Sequence, residues 1–194
     1  MTNRLLRTPP IIGALLASMT LAACGYNQTE PVTHGENESV NVQAGNLVYQ
    51  VQISRALNPE AVDDSQYLEA VDPAEARLSA DDEWFGVWVR VENTTDTPHE
   101  STDEFKVKDA AGNEYEPIPI GDVNPFKYAP RLVEQKSGNG QPIQPDPDSA
   151  SGSGPIQGSL VLFKVPHTIY QNSPAELEIT PTEGGEASVV ELDL

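Results

Sequence analysis

The sequence predicts an all-β fold, an antiparallel β-sandwich, and three observations carry that prediction. Apolar residues alternate with polar ones in several separate stretches, the two-residue period of strands with one buried face. No stretch sustains the apolar stripe of an amphipathic helix. One stretch reads as a hairpin with a glycine at its turn.

Taken in order, Val40 to Val42 gives a weak first strand signal. Leu47, Tyr49, Val51 and Ile53 alternate with Val48, Gln50, Gln52 and Ser54, which places one apolar row on one face. Phe85, Val87, Val89 and Val91 form a second row, with Trp84, Gly86, Trp88, Arg90 and Glu92 on the opposite face. Glu104 to Lys108 leads through Asp109 to Asn113 into Glu114 to Glu116, a hairpin whose turn uses Gly112 for a positive φ. Gly158 to Val165 is nearly all apolar, as expected of a central strand covered on both faces. Leu177 with Ile179, and Val190 with Leu192, alternate with charged or polar neighbours. Phe85, Val87, Val89, Val91 and Phe163 are the expected core.

Two insertions interrupt the strands. Residues 58–83 are acidic and carry Tyr67, Leu68, Val71 and Leu78 at spacings that suit one or two short helices, the only helix expected. Residues 137–155 are rich in Gly, Pro and Ser, with too little apolar content to order themselves, so a mobile loop is expected there.

The first 23 residues hold Arg4 and Arg7, an apolar stretch from Ile11 to Leu16, small residues after it and no acidic residue. This is the layout of a signal peptide, too short in its apolar part to span a bilayer. It ends Leu21-Ala22-Ala23-Cys24-Gly25, which resembles the lipobox of bacterial lipoproteins: an aliphatic residue, two small residues and a cysteine. That resemblance implies cleavage between Ala23 and Cys24, diacylglyceryl transfer to the Cys24 thiol and frequent acylation of the new amino terminus. Two or three acyl chains exceed what stable anchoring needs. The expected organisation is therefore a signal over 1–23, a lipidated Cys24 with a flexible tether over 24–45, and one domain over 46–194. A flexible tether of that length would have a mean span of roughly 25 Å.

The stretches Trp84 to Pro98, Phe105 to Tyr115 and Gly158 to Pro166, in that order and spacing, resemble the immunoglobulin-like domain of unknown function found in many bacterial lipoproteins and secreted proteins. That family is sometimes mislabelled after telomeric repeat-binding factors. The family usually has a compact Pro-Gly turn before its Gly-x-Leu-Val-x-Phe strand; here residues 137–155 take its place.

Charge removes several functions. With 11 Lys and Arg against 30 Asp and Glu, the chain carries a formal charge of -19, which repels phosphate backbones and excludes nucleic acid as a partner. The single Cys can form neither an internal disulfide, a C-x-x-C redox pair nor a Cys-rich zinc site. There is no Gly-x-Ser-x-Gly elbow for serine hydrolysis, and His34, His99 and His167 lack metal-ligand spacing. No cofactor is expected.

Two candidate sites remain. Hard oxygen ligands from separate loops can assemble a calcium site, and Asp63, Asp64, Asp81, Asp82 and Glu83 bracket the first insertion, although in so acidic a chain a solvated loop is the reading expected. Trp84, Trp88 and Arg90 lie off the main core row. They form a recognition face for a sugar or a protein if exposed, or a second small core if the first insertion folds over Trp88. The second case is the one expected. The function expected is a lipid-anchored extracytoplasmic binding or interaction protein of the bacterial envelope, non-catalytic, with an envelope protein or glycan as partner. The competing readings are a glycan-acting envelope hydrolase and a calcium-dependent adhesion module.

Overall fold

The computed structural model describes residues 32–33, 39–136 and 142–194. The expected signal, Cys24, residues 25–31 and 34–38, and residues 137–141 lie outside the described residues. In chain order the strands are β1 (Val32–Thr33), β2 (Val40–Ala44), β3 (Leu47–Leu57), β4 (Asp82–Glu92), β5 (His99–Glu100), β6 (Phe105–Asp109), β7 (Glu114–Tyr115), β8 (Leu132–Val133), β9 (Ile143–Gln144), β10 (Ser159–Pro166), β11 (Ala175–Ile179) and β12 (Ser188–Leu192). Among the described residues helical turns are few and short: α1 (Val62–Ser65), α2 (Ala150–Ser153), and single 3-10 turns at Gln66–Leu68 and His167–Tyr170.

The strands make the expected immunoglobulin-like antiparallel sandwich. One sheet runs β1-β12-β11-β6-β7 and the other β10-β4-β3-β2, with β9 paired to the end of β4. Only β1 on β12 is parallel within these sheets. The rows legible in the sequence meet between them: Phe85, Val87, Val89, Val91 and Phe163 lose all exposure and pack in one core with Val107, Leu177, Ile179 and Val190. Each such side chain contributes about 1.5–3 kcal/mol relative to an exposed one. The hairpin β6–β7 forms as expected, with Gly112 at φ 85°.

Five expectations change. The row on β3 breaks at Gln52, because Val51 pairs with Val89 but Ile53 pairs with Trp88. The extra residue is a bulge that reverses the alternation, so Ser54 turns inward and Ile53 is 37% exposed. β10 is buried on both faces but stands at the end of its sheet, not in its centre. Its free edge is closed by irregular chain instead of a strand: Ile118 N donates to Leu162 O at 2.7 Å, Leu160 N to Phe126 O at 2.7 Å and Tyr128 N to Leu160 O at 2.8 Å.

The sandwich also begins before residue 46. β2 pairs along its whole length with β3 and buries Val40, Val42 and Ala44, while β1 pairs with Val190 and Glu191, so part of the expected tether belongs to the sheets. Ordered structure enters the second insertion as well. Within 142–155, β9 docks on β4 and α2 is capped by Ser149, whose Oγ accepts from Gly152 N at 3.1 Å. Backbone pairing and a cap order this stretch where apolar content could not. Helix is therefore not confined to residues 58–83, since α2 and the turn at His167–Tyr170 lie beyond it.

Candidate functional site: a track of three clefts

The tryptophan face is closed. Trp84 is 4% exposed and Trp88 fully buried, in a second core with Leu57, Tyr67, Leu160 and Leu162. Tyr67 from the first insertion stands edge-on to Trp88, with centroids 5.1 Å apart, and Phe126 stands edge-on to Tyr67 at 4.8 Å. Arg55 lies 5.3 Å over the Trp88 ring. The ring lies across Gly86, where a Cβ would meet Trp88 Cη2 and Cζ3 at 2.8 Å, so only glycine fits. Trp84, Trp88 and Arg90 are therefore not a recognition face: two are buried and Arg90 is half-buried between strands, opposite Gln50.

The acidic candidates are put to other uses. Asp64 is buried and pairs with Arg55 at 2.6 Å while accepting from Asn58 N at 2.9 Å. The Arg55 hydrogen bond holds its carboxyl below the ordinary range against the opposing effect of burial. Asp82 accepts from Ser79 Oγ at 2.8 Å, Glu83 Oε1 is buried without a partner, and Asp63 and Asp81 are exposed. Among the described residues no three His, Cys, Asp or Glu side chains gather in a group able to hold a metal, so the five candidate ligands are not assembled.

Of the histidines, His34 lies outside the described residues and His167 Nε2 sits 3.3 Å from Asp82 O. His99 bridges an acid and a hydroxyl: its Nδ1 lies 2.6 Å from Glu183 Oε2 and its Nε2 3.0 Å from Thr97 Oγ1. The His99 contact, then Glu100 N, hold the Glu183 carboxyl below its usual range. None of these three residues lines a cleft described below. The chain of contacts ties the β11–β12 turn to β5.

The concave surface lies elsewhere, and its origin is a strand that changes sheets. β7 pairs with β6 only opposite Val107 and Lys108. Prolines at 117 and 119 cannot continue a ladder, and the chain crosses to the other sheet, where Pro117 bridges Phe163 and Ile118 binds Leu162. The hairpin is thus splayed, leaving Phe105 and Lys106 of β6 without a strand partner on that side.

Three clefts open along this seam. The first, of about 280 Å³, is lined chiefly by Phe105, Ile118, Tyr128, Leu160 and Leu162, with Pro117, Pro119 and Pro130. The second, of about 480 Å³, adjoins it through Asp103 and Phe105 and adds Glu104, Lys106, Glu116, Glu178 and Thr180. The third, of about 160 Å³, adjoins the first through Lys127 and adds Arg131, Gln144, Asp146 and three serines, Ser149, Ser151 and Ser159.

The walls are fixed from beneath. Thr102 is held by its own Oγ1 donating to Thr180 O at 2.6 Å, by its N donating to Tyr49 Oη at 2.8 Å and by Tyr128 Oη donating to its carbonyl at 2.8 Å. Burial pushes the Tyr49 hydroxyl up to about 12 and raises that of Tyr128 further, so both stay protonated. Phe105 stands edge-on to Tyr128 at 5.0 Å and to Tyr49 at 6.3 Å. At the far end of the hairpin, Asp109 accepts from Asn113 N, Asn113 Nδ2, Tyr115 Oη and Asn172 Nδ2 at 2.8–3.0 Å. Burial works to raise its carboxyl, but these donors outweigh it and bring the value to about 2.

Charge is uneven along the seam, acidic in balance in the second cleft and mixed in the third, where Asp146 stands with Lys127 and Arg131. In the second cleft Lys106 is tied to Glu114 at 2.9 Å and to Glu116 at 3.4 Å, and Glu178 is tied to Lys108 at 2.8 Å. Asp103 and Glu104 are exposed and make no ion pair among the described residues. In the third cleft the Arg131 guanidinium makes no ion pair among the described residues and donates only to Ile143 O, at 3.3 Å. Lys127 pairs with Asp122 at 2.6 Å, but Asp122 is 97% exposed, so that pair opens at small cost. Sequence reasoning missed this seam. The signal for it was the alternate prolines in Glu116-Pro117-Ile118-Pro119-Ile120, which forbid a regular strand where the alternation suggests one.

No protein-family profile matches the chain, and no curated protein does. Among solved structures it is similar to the yjhA protein of Bacillus subtilis, with a TM-score of 0.52 and 11% identity over 79% of this chain and 97% of that one. It is also similar to a candidate lipoprotein, ycdA, of Bacillus subtilis, with a TM-score of 0.50 and 12% identity over 80% of this chain; the match spans 39% of the ycdA chain. At such identities the likeness is one of fold, and the fold it supports is the sandwich described above.

Proposed function

We propose that this chain is a lipid-anchored extracytoplasmic protein of the bacterial envelope that binds a partner protein and does not catalyse a reaction. The lipobox-like Leu21 to Cys24 and the fold shared with a candidate lipoprotein support the address. The observation that carries the binding role is the seam of three adjoining clefts, with walls pinned by Thr102, Tyr49 and Tyr128. A site preset by a rigid scaffold loses little entropy on binding. Glu116 and Glu178 are paired with lysines, and Asp103 and Glu104 face solvent. A general acid needs a desolvated carboxyl held protonated, so these groups suit recognition of a cation better than proton transfer.

A photoreactive amino acid placed at Pro130, exposed beside the first cleft, tests the reading in intact cells. The expected result is a defined protein adduct at this position that disappears with Asp103→Lys plus Glu104→Lys, and none from a control at Val62, exposed on α1. Absence of an adduct at Pro130, or an equal yield at Val62, contradicts it.

A further inference from the structure

Resting on that reading, we infer that the seam takes an extended peptide segment whose chemistry is graded along its length: a basic residue at one end, an apolar residue in the middle and a carboxylate at the other end. Shared residues fix the order of the clefts. Asp103 and Phe105 join the acidic cleft to the apolar one, and Lys127 joins the apolar one to the cleft holding Arg131. An occupant spanning all three therefore meets unpaired carboxylates, then rings and aliphatic side chains, then two cations and hydroxyls with one exposed carboxylate, Asp146, among them. Arg131 carries most weight here. Like Arg77 and Lys136 it is exposed and makes no ion pair among the described residues, but it alone of these stands in a cleft beside Lys127, whose partner is nearly free in solvent, so an anionic group brought by the ligand would meet two cations there.

The floor favours a polypeptide. Because β7 covers β6 only opposite Val107 and Lys108, the backbone edge at Phe105 and Lys106 borders the clefts without a strand partner. Phe105 N already donates to Asp103 O at 3.1 Å and Lys106 pairs with Glu178 of β11, so an extended segment would be held by its side chains in the clefts and not by a ladder. A glycan would need hydrogen-bonding groups throughout, yet the middle cleft is walled by Phe105, Ile118, Leu160 and Leu162 and by prolines that lack an N–H. An anionic lipid surface is opposed by Asp103 and Glu104.

Fluorescence anisotropy on the full chain in detergent tests this with dye-labelled heptapeptides. The parent has two lysines at one end, Val-Phe-Val in the centre and two aspartates at the other, and is made in both chain directions. One direction is expected to bind, and to weaken at least tenfold when either the lysines become Gln or the aspartates become Asn. Asp103→Lys with Glu104→Lys should lose the parent and gain a peptide whose lysines are replaced by Glu. Arg131→Glu should do the converse with a peptide carrying lysines at both ends. Such charge-swap rescue cannot arise from unfolding, and melting curves should match the unsubstituted chain.

Binding of all peptides within twofold of one another overturns the graded order. No binding at millimolar peptide while the Pro130 adduct still forms overturns the peptide occupant and leaves the binding reading standing; loss of both sinks both. Saturable binding of N-acetylglucosamine oligomers that is lost with Tyr128→Ala overturns it in favour of a glycan.

Discussion

The Tyr67 ring stands edge-on to the Trp88 indole, with centroids 5.1 Å apart and planes at 82°. This contact joins an acidic insertion to the outer face of β4 and, with Leu57, Phe126, Leu160 and Leu162, buries the second face of that strand. Trp88→Ala should cost about 3 kcal/mol or more in urea denaturation, the range of large-to-small changes in cores. Trp88→Phe keeps the edge-to-face partner and removes an indole N–H that is buried without an acceptor, so its cost should stay below about 1.5 kcal/mol. Equal losses for both would mean that the Tyr67 contact contributes little.

That contact also marks how far the sequence could be read. Alternation on β4, β6, β11 and β12 reported faithfully which residues turn inward, because side-chain parity is a local property. The closing of the second core was half legible, in Tyr67, Leu68, Val71 and Leu78, but Ile118, Ile120 and Phe126 complete it from a stretch with no strand period. Ile53 was misplaced because a bulge depends on the partner strand; β1 was missed because a two-residue strand becomes visible only through what it pairs with, and β2 was legible only weakly, in Val40 and Val42. The clefts left only an indirect trace, the alternate prolines at 117 and 119, since they arise where two sheets part.

Acid should loosen the hairpin. Asp109 has its carboxyl held at about 2 when folded, below the usual unfolded value of about 3.9. A depressed folded value contributes stability that is fully present above the unfolded value and lost as pH falls through the folded one. The contribution of Asp109 should therefore fade between about pH 4 and pH 2. Asp109→Ala should cost about 2 kcal/mol or more at pH 7, because Asn113, Asn172 and Tyr115 lose a charged acceptor. The same substitution should flatten the acid limb of the stability curve below pH 4, and an unchanged limb would contradict the assignment.

Metal should prove dispensable. With Asp64 committed to Arg55 and the five acidic candidates unassembled, chelator should leave the melting temperature unchanged. A true calcium site would raise it with calcium concentration by mass action. A rise of several degrees in millimolar calcium, absent with magnesium, would count against this view.

The anchor is tested at Cys24. Cys24→Ala should abolish incorporation of labelled fatty acid and leave either an uncleaved precursor or a soluble form. Detergent-phase partitioning and a lipid mass retained in this variant would rule out Cys24 as the attachment point.

The central claim, that a partner occupies the seam between the sheets, is tested most directly by hydrogen exchange on the full chain. Amide protection in native envelopes would be compared with protection of the same chain purified in detergent. The account predicts added protection in envelopes at residues 103–106, 116–120 and 127–131, and none at 58–65 or along β2. Identical exchange in the two states, or protection confined to β2 and the first insertion, would contradict it.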